Sequence, residues 1–151
     1  MPGMPERAMA VQPPRTFVSF DFGTRRVGVA TGNTLLNRAQ PLHTVDAVGD
    51  ARFAAIARII GDWQPDALVV GVPFHPDGAA HENTLLARRF ARQLHGRFGL
   101  AVHQVDERYT TTEALADGAA DVDAAAAALI LDQYLRALAA GAAVGNDHAA
   151  A

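Results

Sequence analysis

Phe17-Val18-Ser19-Phe20-Asp21-Phe22-Gly23-Thr24-Arg25-Arg26-Val27-Gly28-Val29-Ala30 reads as two strands joined by a tight turn. An apolar run ends on a carboxylate, turns over Gly23-Thr24, and re-enters as a second apolar run. A strand that closes on Asp21 sets a charged oxygen at a sheet rim, where a divalent cation or a phosphate would be held. Two further acids fall where they would share that rim. One belongs to Asp106-Glu107 in the stretch Val105 to Thr110; the other is Asp123, which opens the last helical stretch.

The spacing predicts a first strand over Phe17–Phe22, a second over Val27–Thr31 and, after Pro41, a third over Leu42–Val45, which together make an antiparallel meander. A helix follows from about Ala51 to Trp63, with Asp50 as N-cap and Phe53, Ile56, Ile60 and Trp63 inward. Pro65 ends it. Ala67-Leu68-Val69-Val70-Gly71-Val72 is continuously apolar, the mark of a central strand covered on both faces. A second helix runs from Glu82 to Phe98 with Ala87, Phe90, Ala91, Leu94 and Phe98 inward and Arg88, Arg89 and Arg92 off that stripe. Gly99 stops it, and Leu100–Val105 form the fifth strand. A short helix over Thr110–Ala116 and a last one over Asp123–Ala140 complete the chain. The class is α/β, with a mixed five-stranded sheet of three meander strands plus two parallel strands, flanked by helices.

The chain has 151 residues, half of them hydrophobic and 19% charged, a composition that fits one folded domain. Residues 1–15 read as a flexible leader, 16–141 as the domain and 142–151 as a small-residue tail. With no cysteine, disulfides, thiolate catalysis and cysteine-held zinc are excluded. No secretory h-region and no apolar stretch of about eighteen residues is present, so the expected location is the cytoplasm, away from membranes. Net charge is −3, yet all 13 basic residues are arginine. Their forked guanidinium groups match phosphate, although drift in composition would give the same bias.

In α/β sheets ligands gather beyond the carboxyl ends of the parallel strands. Asp21, the Asp106-Glu107 pair and Asp123 are the acids that would meet there. A set of carboxylates without thiolates selects Mg²⁺ or Mn²⁺, and acids holding such ions hydrolyse phosphodiesters without a nucleophilic side chain. Each residue also has a plainer reading. Asp21 would start a turn, the Asp106–Arg108 cluster would be solvated, and Asp123 would be a helix cap, with Asp121 equal to it by type. His75 and His81 lack zinc-ligand spacing and read as a surface loop. Tyr109 would stack on a base or pack at the rim. Arg25, Arg26, Arg88, Arg89 and Arg92 form the candidate nucleic-acid surface, and Arg108 stands beside the acid pair.

Taken together, several segments resemble the YqgF (RuvX-like) family of pre-16S rRNA nucleases, relatives of Holliday junction resolvases. They are Asp21–Ala30, Ala39-Gln40-Pro41-Leu42, Val70-Gly71-Val72-Pro73 with Asp77-Gly78, Asp106-Glu107-Arg108 with Thr110-Thr111, and Asp123 with Leu129-Ile130-Leu131 and Tyr134-Leu135. The resemblance spans roughly Thr16 to Leu135. It implies an RNase H-like fold and metal-dependent hydrolysis of RNA, with trimming of the 5′ end of pre-16S rRNA in ribosome biogenesis. Asp21, Glu107 and Asp123 would then be the catalytic and metal-holding acids, with Mg²⁺ (or Mn²⁺) as cofactor. The partner would be precursor rRNA or branched DNA, and the protein a monomer or weak dimer. Competing readings are a resolvase of branched DNA, an actin-like ATP-binding domain, and a non-catalytic factor that binds RNA or the transcription machinery.

Overall fold

The computed structural model describes residues 13–74, 77–80, 82–107 and 118–141. Its elements are β1 (Thr16–Phe22), β2 (Val27–Asn33), β3 (Arg38–Val45), α1 (Gly49–Trp63), β4 (Ala67–Val72), α2 (Glu82–Phe98), β5 (Ala101–Asp106) and α3 (Val122–Ala139). They build one five-stranded sheet of order β3-β2-β1-β4-β5. The β1–β2 and β2–β3 pairs are antiparallel, and β4 runs parallel to both β1 and β5. The mixed sheet expected from the sequence is therefore present. The leader to residue 12, the tail from 142 and the short helix expected over Thr110–Ala116 lie outside the described residues, as do His75, His81, Arg108 and Tyr109.

Alternation along β1 assigns each face of the sheet its cover. Val18, Phe20 and Phe22 point toward α1 and α2, where they join Phe53, Ile56, Leu68, Val70, Phe90 and Leu94. Phe90 is the hub of that layer, with ring centroids 5.8 Å from Phe20, 5.2 Å from Phe22 and 6.0 Å from Phe53. Phe17 and Ser19 point the other way, onto α3. The Phe17 ring meets Tyr134 edge-on at 5.2 Å, and the Ser19 hydroxyl donates to the Ala127 carbonyl at 2.8 Å. Every residue of β4 is buried, as a strand covered on both faces requires.

Three local expectations are corrected. The β2–β3 hairpin is longer, because β2 continues to Asn33 and β3 begins at Arg38. Asn33 closes the connection by accepting from the amides of Leu36 and Asn37. Pro41 is tolerated inside β3 because that strand forms the sheet edge, and Leu42 is absorbed by an irregular register between Val29/His43 and Ala30/Pro41. Asp50 is not the cap of α1. The N-cap is Val48, without a side-chain bond, and Asp50 sits in the first turn, where its charge suits the helix dipole. Trp63 does not face inward: it is 43% exposed, and the buried stripe of α1 is Arg52, Phe53, Ile56 and Ile59.

Phe90 fills the layer remote from the acids, so truncation there separates stability from the rim. Phe90→Ala is expected to destabilise the fold by about 3–5 kcal/mol, read as a lower midpoint in chemical denaturation. A loss below about 1 kcal/mol would contradict the assigned packing.

Candidate active site

One row of cross-strand partners organises the rim. Thr44, Gly28, Asp21, Gly71 and Val105 lie side by side across all five strands, and residues paired in this way present their side chains to one face. That face is the one covered by α3, because Asp21 follows Phe17 and Ser19 in alternation. The helix runs against β1, so its residues near Tyr134 and Ala127 meet Phe17 and Ser19, and its first turn reaches Asp21.

Both neighbours of Asp21 in the row are glycines, and each vacant Cβ position is filled by something else. A Cβ on Gly28 would overlap the backbone carbonyl of Asp123. The start of α3 therefore rests directly on β2. A Cβ on Gly71 would lie 2.6 Å from Oε2 of Glu107 and 2.5 Å from Cδ1 of Ile130. The Glu107 carboxylate thus lies over β4, on the face of Asp21. Its amide donates to the Val72 carbonyl at 3.0 Å, which extends the β4–β5 ladder by one residue. Asp106 instead pairs with Val72, a residue of the α1–α2 layer, so alternation turns it to the opposite face. Of the two adjacent acids that the sequence left open, Glu107 is the one on the face of Asp21.

Asp121 and Asp123 divide two jobs between them. Asp121 is the N-cap of α3: Oδ1 accepts from the Ala124 amide at 3.0 Å and from the Thr44 hydroxyl at 2.6 Å. Partial burial works against its ionisation. The Thr44 hydroxyl, the Ala124 amide, the nearby His43 and the Thr44 amide outweigh that cost and hold the carboxyl below its ordinary range. Asp123 in the first turn is thereby not consumed in capping. Its Oδ2 lies 3.5 Å from Nε of Arg26, on the β1–β2 turn, and both side chains are substantially exposed.

The arginines separate into groups. Arg25 and Arg26 are exposed on the turn that follows Asp21. Arg88 on α2 packs over the Phe74 ring at 5.1 Å, just beyond the end of β4. The Thr84 hydroxyl donates to the Pro73 carbonyl and fixes the start of α2 there. Arg89 and Arg92 are exposed on α2, on the side of the sheet opposite α3.

The donor set is all oxygen, which in kind suits a hard divalent cation. As the side chains stand, no three His, Cys, Asp or Glu among the described residues are grouped closely enough to hold a metal ion. Asp21 and Glu107 share a face, while Asp123 is turned to Arg26. The sequence reading gave Gly28, Gly71 and Thr44 no role in the site. A signal existed for Gly71, since a glycine within an otherwise bulky strand marks close approach by another group.

A mixed sheet of order β3-β2-β1-β4-β5 with β2 antiparallel to its neighbours, covered among the described residues by α3 on one face and α1 and α2 on the other, is an RNase H-like fold. The RuvC protein of T. thermophilus in complex with a Holliday junction substrate superimposes with a TM-score of 0.55 at 16% identity, over 87% of this chain and 99% of that one. The sequence matches the RuvX family, described as Holliday junction resolvase, over residues 15–137. A relative in Albidiferax ferrireducens named "Putative pre-16S rRNA nuclease" is 67% identical over 124 residues, 82% of this chain and 80% of the relative. One of the same name in Polaromonas sp. is 64% identical over 124 residues, 82% of this chain and 90% of the relative. The chain belongs to the RuvX family.

The two glycines predict an order of damage. Gly28→Ala forces backbone against backbone and is expected to lower the unfolding midpoint more than Gly71→Ala, which meets the ends of two side chains. Overpacking of this kind costs about 1–3 kcal/mol, so thermal unfolding resolves the two. The reverse order would refute the close packing of α3 on β2.

Proposed function

We propose that this chain is a metal-dependent nuclease that hydrolyses RNA phosphodiester bonds and processes the 5′ end of pre-16S rRNA. Asp21, Glu107 and Asp123 would form its acidic centre, with Mg²⁺ or Mn²⁺ as cofactor. The observation that supports this reading lies at the two neighbours of Asp21 in the sheet: the vacant Cβ position of Gly71 is 2.6 Å from Oε2 of Glu107, and that of Gly28 is filled by the Asp123 backbone carbonyl. The name carried by the relatives supplies the substrate class.

The chain's own residues would act as follows. Asp21 and Glu107 present carboxylate oxygens on one face of the sheet, and Asp123 joins them on leaving Arg26. That exchange costs little, since an exposed ion pair contributes at most about 1 kcal/mol. A bound divalent cation would supply an activated water and offset charge on the phosphoryl oxygens. Released from Asp123, Arg26 would face the backbone phosphates together with Arg25 and Arg88. Arg89, Arg92 and Arg108 would extend the interaction along the strand. Arginine suits this work because its planar fork binds two phosphate oxygens at once.

Branched DNA is the second reading, favoured by the description of the family. Both are tested with purified protein, precursor rRNA fragments and four-way DNA junctions, with and without Mg²⁺ or Mn²⁺. Cleavage of the RNA alone supports the proposal, and cleavage of the junction alone replaces it. Binding of RNA without turnover would make the chain a non-catalytic factor.

Asp21→Asn is expected to slow cleavage by about a hundredfold, while stability changes by no more than about 1 kcal/mol because the amide keeps the size and shape of the carboxylate. Chelation should abolish wild-type cleavage, and added Mg²⁺ or Mn²⁺ should restore it. Turnover that ignores both the substitution and the chelator ends the metal-dependent reading. For the arginines, Arg25→Gln, Arg26→Gln and Arg88→Gln are each expected to weaken RNA binding. Each should also flatten the salt dependence, by about 0.7 in the log–log slope for every single-strand phosphate that the arginine neutralised. An unchanged slope in all three would remove this rim from the RNA path.

A further inference from the structure

Arg52 does something the acids do not account for. It stands in the first turn of α1 and is 6% exposed, the only charged side chain among the buried residues described. A buried guanidinium is costly unless its N–H groups find acceptors. Nε donates to the Ala47 carbonyl at 2.8 Å, and an Nη donates to the Thr24 carbonyl at 3.2 Å. The guanidinium carbon lies 5.6 Å from the Phe22 ring centroid. The ion pairs Arg26–Asp123 and Arg97–Asp50 lie elsewhere, and burial pushes the Arg52 pKa below the ordinary guanidinium value. A methionine would fill similar space without that desolvation. Packing alone therefore does not call for arginine; its fork adds a tie with two prongs.

The tie joins three segments. Ala47 belongs to the connection from β3 into α1, Phe22 ends β1, and Thr24 lies within the β1–β2 turn. Thr24, Arg25 and Arg26 are all exposed, so side-chain burial contributes little to fixing this turn. Yet the turn begins one residue beyond Asp21, after Phe22, and ends at Arg26, whose Nε stands 3.5 Å from Asp123. We propose that Arg52 is a positioning residue. From the face of the sheet opposite α3 it fixes the β1–β2 turn, and so sets where Arg26 stands relative to Asp21 and Asp123. The catalytic consequence rests on the nuclease reading above; the structural one does not.

Four variants test both parts: Arg52→Met, Arg52→Lys, Arg26→Ala and the double variant Arg52→Met/Arg26→Ala. In Arg52→Met, amide hydrogen exchange across residues 22–27 is expected to accelerate by about tenfold or more while β4 keeps its protection. Arg52→Lys should fall between, since an ammonium replaces one prong and not both. Unchanged exchange in the turn overturns the proposal. So does an even loss of protection across the whole sheet, which marks a general contribution to stability. For cleavage, Arg52→Met should lower the rate by about tenfold in the wild-type background through misplacement of the turn. In the Arg26→Ala background it should lower it by no more than about twofold, because the group being positioned is gone. Equal losses in both backgrounds refute routing through the turn. If Arg52→Met fails to fold, Arg52→Lys carries both measurements. If the wild type cleaves no RNA, the nuclease reading fails on its own and hydrogen exchange alone decides the role of Arg52.

Discussion

The carboxylate of Asp21 has room for company only because neither neighbour in its sheet row carries a side chain. At Gly28 the space is taken by the backbone of Asp123, and at Gly71 by the carboxylate of Glu107 and the tip of Ile130. Packing and site geometry are thus a single constraint. The close approach that seats α3 on β2 also brings Asp123 to the rim, and Ile130 against β4 leaves just enough space for Glu107 beside it. Lower along the same helix, Ala127 accepts from Ser19 and Tyr134 packs on Phe17. The axis of α3 is therefore fixed at several points before the acids are considered.

This arrangement explains how far the sequence could be read. The boundaries of β4 and α2 followed from apolar patterning, because both elements bury what they repeat. The meander followed from the Gly23-Thr24 turn. Asp21 stood out since it ends an apolar run, and the Asp106-Glu107 pair and Asp123 since they follow a strand and open a helix; the choice of Glu107 came with a family resemblance, and the family match spans residues 15–137. What stayed hidden depends on interactions between distant segments. Nothing local separates Asp121 from Asp123 as cap; the partner that separates them is Thr44, 77 positions away. Asp106 and Glu107 are told apart only by the register of β5 on β4. Trp63 carries the right helical spacing, but α1 turns its stripe toward Phe90 and leaves that ring at the margin.

Arg52 shows a second kind of blindness. An arginine inside an amphipathic helix reads as part of its polar face, as Arg58 of the same helix does. Here two backbone carbonyls and an aromatic ring receive it, and backbone acceptors leave no trace in side-chain pattern. Its burial only becomes intelligible once the β1–β2 turn is in place above α1, with Asp21 on one side and Arg26 on the other.

Two aspartates in the same helical turn end up with opposite freedoms, and the difference is energetic. Asp121 is bound by a hydroxyl and an amide in a partly buried setting; a cap of this kind contributes about 1 kcal/mol, and losing it would fray the helix on which Asp123 rides. Asp123 faces an exposed arginine at 3.5 Å, and such pairs contribute little. The fold thus commits one carboxylate to holding the helix in place and leaves the next on that turn easy to redirect. On the proposed nuclease reading, a site that accepts a cation and a phosphate in turn would use that combination: a rigid backbone under an acid whose present partner is readily replaced.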